Sequence, residues 1–192
     1  MSLDVTRWLK ADGEAFFRDL GIKGGQSILD FGCGAGHYTI PAAKAVGQGG
    51  IVYALDKDRS ELSQLAKEAQ SEGIDNIVPL ETSGEIAISL AEESVDVVLL
   101  FDTLHYMTAD KRELLYGEVH RVLINDGQLL VYPKHVKSDQ PLWNLRDMEL
   151  AGLIEEIEIA SFRLEKQSPK RLLHNYDYNE GVVLWFRKGT ET

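Results

Sequence analysis

Cysteine is almost absent: the 192 residues contain one, Cys33, so neither a disulfide pair nor a cluster of thiolate metal ligands can be built. Positive charge is also scarce, with 20 Lys and Arg against 31 Asp and Glu and a formal net charge of −11. Phosphate-backbone binding relies on clustered cations that displace counterions, so no nucleic-acid partner is expected. No apolar run approaches the roughly 20 residues of a membrane span, and the first residues lack the charged-then-apolar pattern of an export signal. A cytoplasmic protein without a membrane span is expected. Linkers, low-complexity tracts and internal repeats are missing too, and 44% hydrophobic residues suffice for one sizeable core. One domain over residues 1–192 is expected.

What the chain does have is glycine at telling places. In Ile28-Leu29-Asp30-Phe31-Gly32-Cys33-Gly34-Ala35-Gly36 an apolar run ends in an acid, passes three alternating glycines and opens the helical pattern Ile40, Ala43, Val46. A strand-to-helix turn needs so few side chains when it must lie close against a ligand. Beyond it, Ile51-Val52-Tyr53-Ala54-Leu55 ends in a second acid, Asp56, where a nucleoside ribose would be gripped. A dinucleotide loop of the form G-x-G-x-x-G would place its third glycine at position 37, which is His37. Asp30 would moreover repel a pyrophosphate at the helix N-terminus. A cationic nucleoside without phosphate suits two acids better, and S-adenosylmethionine, with its sulfonium and ammonium, is such a ligand.

At these residues the chain resembles the class I S-adenosylmethionine-dependent methyltransferases of the ubiquinone/menaquinone-biosynthesis-like type. Leu29 to Gly36 is similar to that family's glycine-rich first motif and Asp56 to its ribose-binding acid. Val95 to Tyr106 matches its fourth-strand motif, and Leu123 to Tyr132, with the turn Asn125-Asp126-Gly127, its fifth-strand motif. The resemblance covers roughly residues 25 to 133. It implies a doubly wound, mostly parallel, seven-stranded Rossmann-like sheet with an antiparallel C-terminal hairpin. Within the domain it implies an N-terminal helical lid (1–24), a cofactor-binding core (25–133), and an acceptor region with the hairpin (134–192).

The residue patterns agree with such a sheet, since strand and helix periods alternate. Residues 5 to 20 read as an amphipathic helix with Trp8, Phe16 and Phe17, which serve either as lid or as ordinary packing. Asp58 to Glu72 reads as a helix that Asp58 and Glu61 cap and Gly73 stops. Ile77 to Leu80 is a short strand whose Pro79 suits a sheet edge, and Val95 to Phe101 is a buried strand. Ala109 to Leu123 and Met148 to Ile157 read as helices, with a strand from Gln128 to Tyr132 after the first. Phe162 to Leu173 and Val182 to Arg187 read as two strands joined by the polar segment His174 to Gly181.

Ligands of open α/β sheets bind outside the carboxyl ends of the strands. Asp30, Gly32, Gly34 and Gly36 are therefore expected to hold the methionine part, Asp56 the ribose, and Lys57 to lie beside the adenine. Ser83 in Glu81-Thr82-Ser83-Gly84-Glu85 is the candidate for the adenine edge, where the family more often carries an aspartate; Phe101 is expected to flank the cofactor. The alternative for Asp56 is a cap on the turn into the next helix, and for the loop a plain tight turn. Methyl transfer from a sulfonium needs alignment above all, and a base only for a protonated acceptor. His105 and His135 are the candidate bases, with Asp102, Tyr106 and Lys134 also at the rim, and His37, His120 and His174 structural or solvent-facing. His105, His135 and His174 lie on separate loops without short ligand spacing, so no metal is expected.

The segment Pro133 to Leu145, where the resemblance places the acceptor pocket, is short. That suggests an open site, a large acceptor or completion by a second subunit in a homodimer. A single cysteine disfavours arsenite methylation, and Leu100-Phe101-Asp102-Thr103-Leu104 lacks the Asn/Asp-Pro-Pro-Tyr motif of amino-group methylation. A small-molecule acceptor remains. Two other functions stay open: a non-catalytic S-adenosylmethionine-binding protein and a nicotinamide-dependent oxidoreductase.

Overall fold

The structure, a computed structural model, describes residues 2–189. Its strands are β1 (Ser27–Phe31), β2 (Ile51–Asp56), β3 (Ile77–Glu81), β4 (Val95–Phe101), β5 (Leu123–Tyr132), β6 (Phe162–His174) and β7 (Asp177–Lys188), and the sheet order is β3-β2-β1-β4-β5-β7-β6. β1/β2, β2/β3 and β4/β5 pair in parallel, whereas β5/β7 is antiparallel. The helices are α1 (Leu3–Arg7), α2 (Gly13–Asp19), α3 (Thr39–Val46), α4 (Arg59–Ser71), α5 (Ala109–Val122) and α6 (Leu150–Ile159). This is the mostly parallel α/β sheet with a terminal hairpin that the resemblance implied. Contacts divide the chain into two compact units: residues up to Gly84 with Arg171–Glu180, and Glu85–Lys170 with the residues from Gly181 on.

In the first unit, the parallel registers Asp30↔Ala54 and Asp56↔Glu81 bring three strand tips level. Pro79 sits in β3, the edge strand, where no further neighbour asks for its missing N–H. Asp58 caps α4 by accepting from the Ser60 N–H at 2.8 Å. The N-terminal stretch differs from one continuous helix, because a π-helical turn at Trp8–Asp12 separates α1 from α2. Its extra residue shifts the apolar face, so that Trp8, Leu9, Phe16 and Phe17 are all buried. Trp8 packs on Phe16, Tyr38 and Tyr178 with ring centroids 5.1, 5.6 and 6.2 Å apart. Each such side chain, once buried, contributes about 1.5–3 kcal/mol. Gly13 permits the close approach of α2 to α3, since a Cβ there would lie 2.6 Å from Pro41 Cγ. The three aromatics named for a lid thus line this unit's core.

In the second unit β4 is buried along most of its length. β5 begins at Leu123, five residues before the Gln128 start read from the sequence. Its register on β4 jumps from Val95↔Leu123 to Val97↔Gln128, and Asp126 has φ +60°, so Asn125-Asp126-Gly127 is a bulge within the strand rather than a turn before it. α6 lies two residues later than the pattern suggested, at Leu150–Ile159. The polar segment 174–181, most of which belongs to the first unit, is mostly strand: β6 and β7 are separated by Asn175 and Tyr176 alone, with Asn175 at φ +57°. Backbone pairing in a hairpin tolerates polar side chains, and the tight turn needs only one left-handed residue.

Candidate active site

The first unit gathers the glycine loop at the tips of β1, β2 and β3. Gly32 and Cys33 donate their N–H groups to the Leu55 carbonyl at 2.8 and 3.1 Å. Gly34 N–H donates to Asp56 Oδ2 at 2.8 Å, and Asp58 N–H to Asp56 Oδ1 at 2.9 Å. Thr82 N–H reaches the Asp56 carbonyl at 3.0 Å, which ties the tip of β3 to the same residue. Asp56 therefore acts partly as the cap the alternative reading allowed, while its half-buried carboxylate retains further lone pairs. Gly36 has φ +86° and a Cβ on it would run into Leu65 Cδ1 of α4, so loop and helix could not close with any side chain there. Lys57 and Ser83 are exposed beside this cradle.

Asp30 is almost fully buried, 3% exposed, and accepts from Thr39 Oγ1 at 2.6 Å. Burial raises its carboxyl to about 6; the Thr39 hydrogen bond opposes the rise and the Asp56 charge adds to it. The folded value lies above the ordinary 3.8, so ionisation costs stability as pH climbs through about 6, by up to about 3 kcal/mol. Below the unfolded value that cost is absent. Asp30→Asn, which still accepts from Thr39, is expected to raise Tm by ~5 °C at pH 8 and to leave it unchanged near pH 4. Thermal melts at the two pH values check this, and equal shifts at both would refute it. Thr39 was not found from sequence; nine positions from Asp30, it carries no pattern that marks it.

Within the second unit, Asp102, His105 and His135 come together. Asp102 Oδ1 lies 3.6 Å from His105 Nδ1 and 3.8 Å from His135 Nε2. The two imidazole centroids are 4.5 Å apart. Asn144 Nδ2 donates to the His105 carbonyl at 3.1 Å, and His135 Nδ1 bonds the Gln140 carbonyl at 2.8 Å. Trp143 stacks on His105 at 5.3 Å and 25° and touches Tyr106 at 4.7 Å. Burial, then the Asp102 charge, push the Tyr106 phenol up. Lys134 is elsewhere engaged: fully buried, it pairs with Asp139 at 2.5 Å. The segment after β5 closes on itself through Lys137 N–H to the Met148 carbonyl, 2.9 Å. Phe101 ends β4 buried, edge-on to Tyr132 at 6.3 Å.

His120 Nε2 is 3.3 Å from the Gly189 carbonyl, and His37, whose imidazole burial holds below its ordinary pKa, meets Tyr176 edge-on at 5.9 Å. The Trp8 indole donates to the His37 carbonyl at 2.7 Å and so fastens the loop-to-helix junction. No helix among the described residues is long and apolar enough to cross a membrane.

Residues 22–177 match a family model described as a methyltransferase domain. Over 115 residues the chain is 30% identical to the demethylmenaquinone methyltransferase of Lactobacillus johnsonii, covering 59% of this chain and 46% of that protein. The chain spans about half the length of the curated relatives it matches. A solved S-adenosylmethionine-dependent methyltransferase from Aquifex aeolicus superposes over 97% of this chain and 100% of its own, with a TM-score of 0.75 at 21% identity. A [4+2]-cyclase does so over 92% of this chain and 81% of its own, with a TM-score of 0.71 at 15% identity. At such identities the structures speak for the fold, and a fold hosts more than one chemistry.

Proposed function

Since the chain belongs to the methyltransferase-domain family, we propose that it transfers the methyl group of S-adenosylmethionine to a small-molecule acceptor. The observation that carries this reading is the glycine loop pinned to Asp56, with Asp30 buried beneath it and Thr39 holding the carboxylate. Asp30, Gly32, Gly34 and Gly36 take the methionine part, Asp56 the ribose hydroxyls, and Lys57 and Ser83 the adenine side. The two acids favour a sulfonium and an ammonium and oppose a pyrophosphate. The cofactor supplies an activated methyl group; the chain aligns donor and acceptor and excludes water.

Calorimetry with S-adenosylmethionine, followed by an acceptor screen that reads released S-adenosylhomocysteine, tests the proposal. Micromolar-range binding and acceptor-dependent release are expected. Binding without release for any acceptor would make this a cofactor-binding protein instead, and a melting shift with NAD(H) alone would make it an oxidoreductase. A cationic donor also stabilises ionised Asp30. Affinity for S-adenosylmethionine is therefore expected to rise from pH 5 to pH 7.5 and to lose that dependence in Asp30→Asn; a parallel rise in the variant would assign it to another group.

A further inference from the structure

The glycine loop ends at Gly36, whose carbonyl accepts the Ile40 N–H at 3.0 Å and so becomes the first turn of α3. Gly32, Gly34 and Gly36 have φ +75°, +51° and +86°, and backbone this free must be held from outside if the cradle is to keep its shape. His37 and Tyr38 are the handle. The Trp8 indole holds the His37 carbonyl, and the Tyr38 hydroxyl donates to the Leu173 carbonyl near the end of β6. Tyr176, in the turn that follows, meets the His37 ring edge-on. The hairpin tip, residues 173–178, thus grips the loop-to-helix junction directly, and every residue in this grip belongs to the first unit.

The tip is in turn latched to the N-terminal stretch. The Tyr178 hydroxyl donates to Asp12 Oδ2 at 2.7 Å and the Tyr178 N–H to Asp4 Oδ2 at 3.1 Å, while Ser2 Oγ donates to the Tyr176 carbonyl. Burial, then the Asp12 hydrogen bond, push the Tyr178 phenol up to about 12, so it remains a donor throughout the neutral range. Arg171 lies over the same ring at 4.4 Å, and Arg7 pairs with Asp12 at 3.0 Å. These contacts are polar and close to water: the Asp12 side chain is 40% exposed, Tyr176 is 63% exposed, and Asn175 and Asp177 are exposed as well. A segment held in this way opens at low cost, whereas Trp8 and Phe17 beside it are buried in the core. One side of the junction is therefore anchored and the other is held by exchangeable bonds.

Resting on the reading of the glycine loop as the S-adenosylmethionine site, we propose that the β6–β7 hairpin tip is a gate for the cofactor, latched by Tyr178 on Asp12 and shut on the loop through Tyr38. A ligand in the cradle lies outside the carboxyl ends of the strands, at the start of α3, and there the tip forms one wall. With the tip latched, that wall is fixed. With the latch broken, Tyr38 and the loop end give way and the nucleoside passes. Tyr38 is a positioning residue, and neither it nor Tyr178 takes part in methyl transfer. The latch partners Asp4, Asp12 and Tyr178 lie outside the cradle, so the latch is as strong in the loaded protein as in the empty one. Equal strength in both states sets the rates of entry and exit and leaves the affinity alone.

Stopped-flow tryptophan fluorescence with S-adenosylmethionine and S-adenosylhomocysteine measures both rates on the full chain, since Trp8 touches the junction. Tyr178→Phe is expected to raise the association and dissociation rates together, by about 5- to 10-fold, with the calorimetric Kd changed by less than about twofold. Asp12→Ala removes the latch from the other side and should do the same, and the double variant should be no faster than Asp12→Ala, because both changes remove one bond. Tyr38→Phe should likewise speed both rates. Arg18→Ala breaks an exposed pair with Glu14 in the same stretch, away from the tip, and should leave them unaltered. Hydrogen exchange at residues 173–178 should quicken in Tyr178→Phe even without cofactor, and unchanged protection would mean that the hydroxyl latches nothing. Faster dissociation alone, with a matching fall in affinity, would reduce Tyr178 and Tyr38 to structural residues and overturn the gate. No binding of S-adenosylmethionine by the parent chain would sink the cofactor reading and the gate with it, whereas binding with unaltered rates in the latch variants would sink the gate alone.

Discussion

Asp56→Ala is expected to lower affinity for S-adenosylmethionine by about 10²-fold or more in calorimetry. The carboxylate already accepts two backbone N–H groups, from Gly34 at 2.8 Å and Asp58 at 2.9 Å. A carboxylate offers about four lone-pair positions, so two remain for vicinal ribose hydroxyls. Hydrogen bonds to a charged group contribute about 1.5–3 kcal/mol each, and losing two corresponds to about 10²–10⁴-fold in affinity. Alanine also releases Gly34 and slackens the loop. S-adenosylhomocysteine has the same ribose and should lose as much, whereas a variant acting through the sulfonium charge would separate the two ligands. Asp56→Asn should fall between, because its amide must turn one N–H toward a backbone N–H. Unchanged affinity in Asp56→Ala would leave the residue as a cap and nothing more.

How much of this was legible before the fold was known depended on whether the signal was local. β2 and β4 could be read nearly to the residue because apolar runs there end at acids and turns, and a central parallel strand needs no other cue. The glycine loop was legible for the same reason. The π-helical turn at Trp8–Asp12 was not, since it exists to place Trp8 and Phe16 on one side, a demand set by the packing and absent from helical periodicity. β5 and the hairpin extend beyond their apolar stretches because neighbouring strands supply hydrogen bonds to residues whose propensities are indifferent.

The candidate site divides likewise. Asp102, His105 and His135 could each be named from their places after β4 and β5. Their separations of 3.6 and 3.8 Å, and the Gln140 bond that settles the tautomer of His135, depend on a loop whose course no periodicity encodes. Trp143 was visible only as one aromatic in a short segment, and its stacking on His105 comes from the single turn Trp143–Leu145.

A second large effect is expected far from the glycine loop in sequence, at the ion pair that joins α5 to α6. Arg112 is 2% exposed and meets Glu156 through two bonds of 2.7 Å, and the buried Tyr116 hydroxyl donates to the same carboxylate at 2.9 Å. The Glu156 hydrogen bond holds the guanidinium above its ordinary value, and burial, then the Glu156 charge, push the Tyr116 phenol up. Glu156→Gln keeps the shape but leaves a buried cation beside a neutral amide. Breaking one side of a buried pair costs about 3–5 kcal/mol; with the Glu156 side chain 22% exposed, the lower end applies. A fall in Tm of ~6–10 °C is the expected result in thermal melts. Combining Arg112→Met, Tyr116→Phe and Glu156→Leu should recover part of that loss, since an apolar replacement removes the stranded charge. Recovery should stop short of complete, because Arg112 Nη1 also donates to the Met107 carbonyl at 2.8 Å, next to Tyr106. A Glu156→Gln protein as stable as the parent would mean that water reaches Arg112 and that the pair is a surface one in effect.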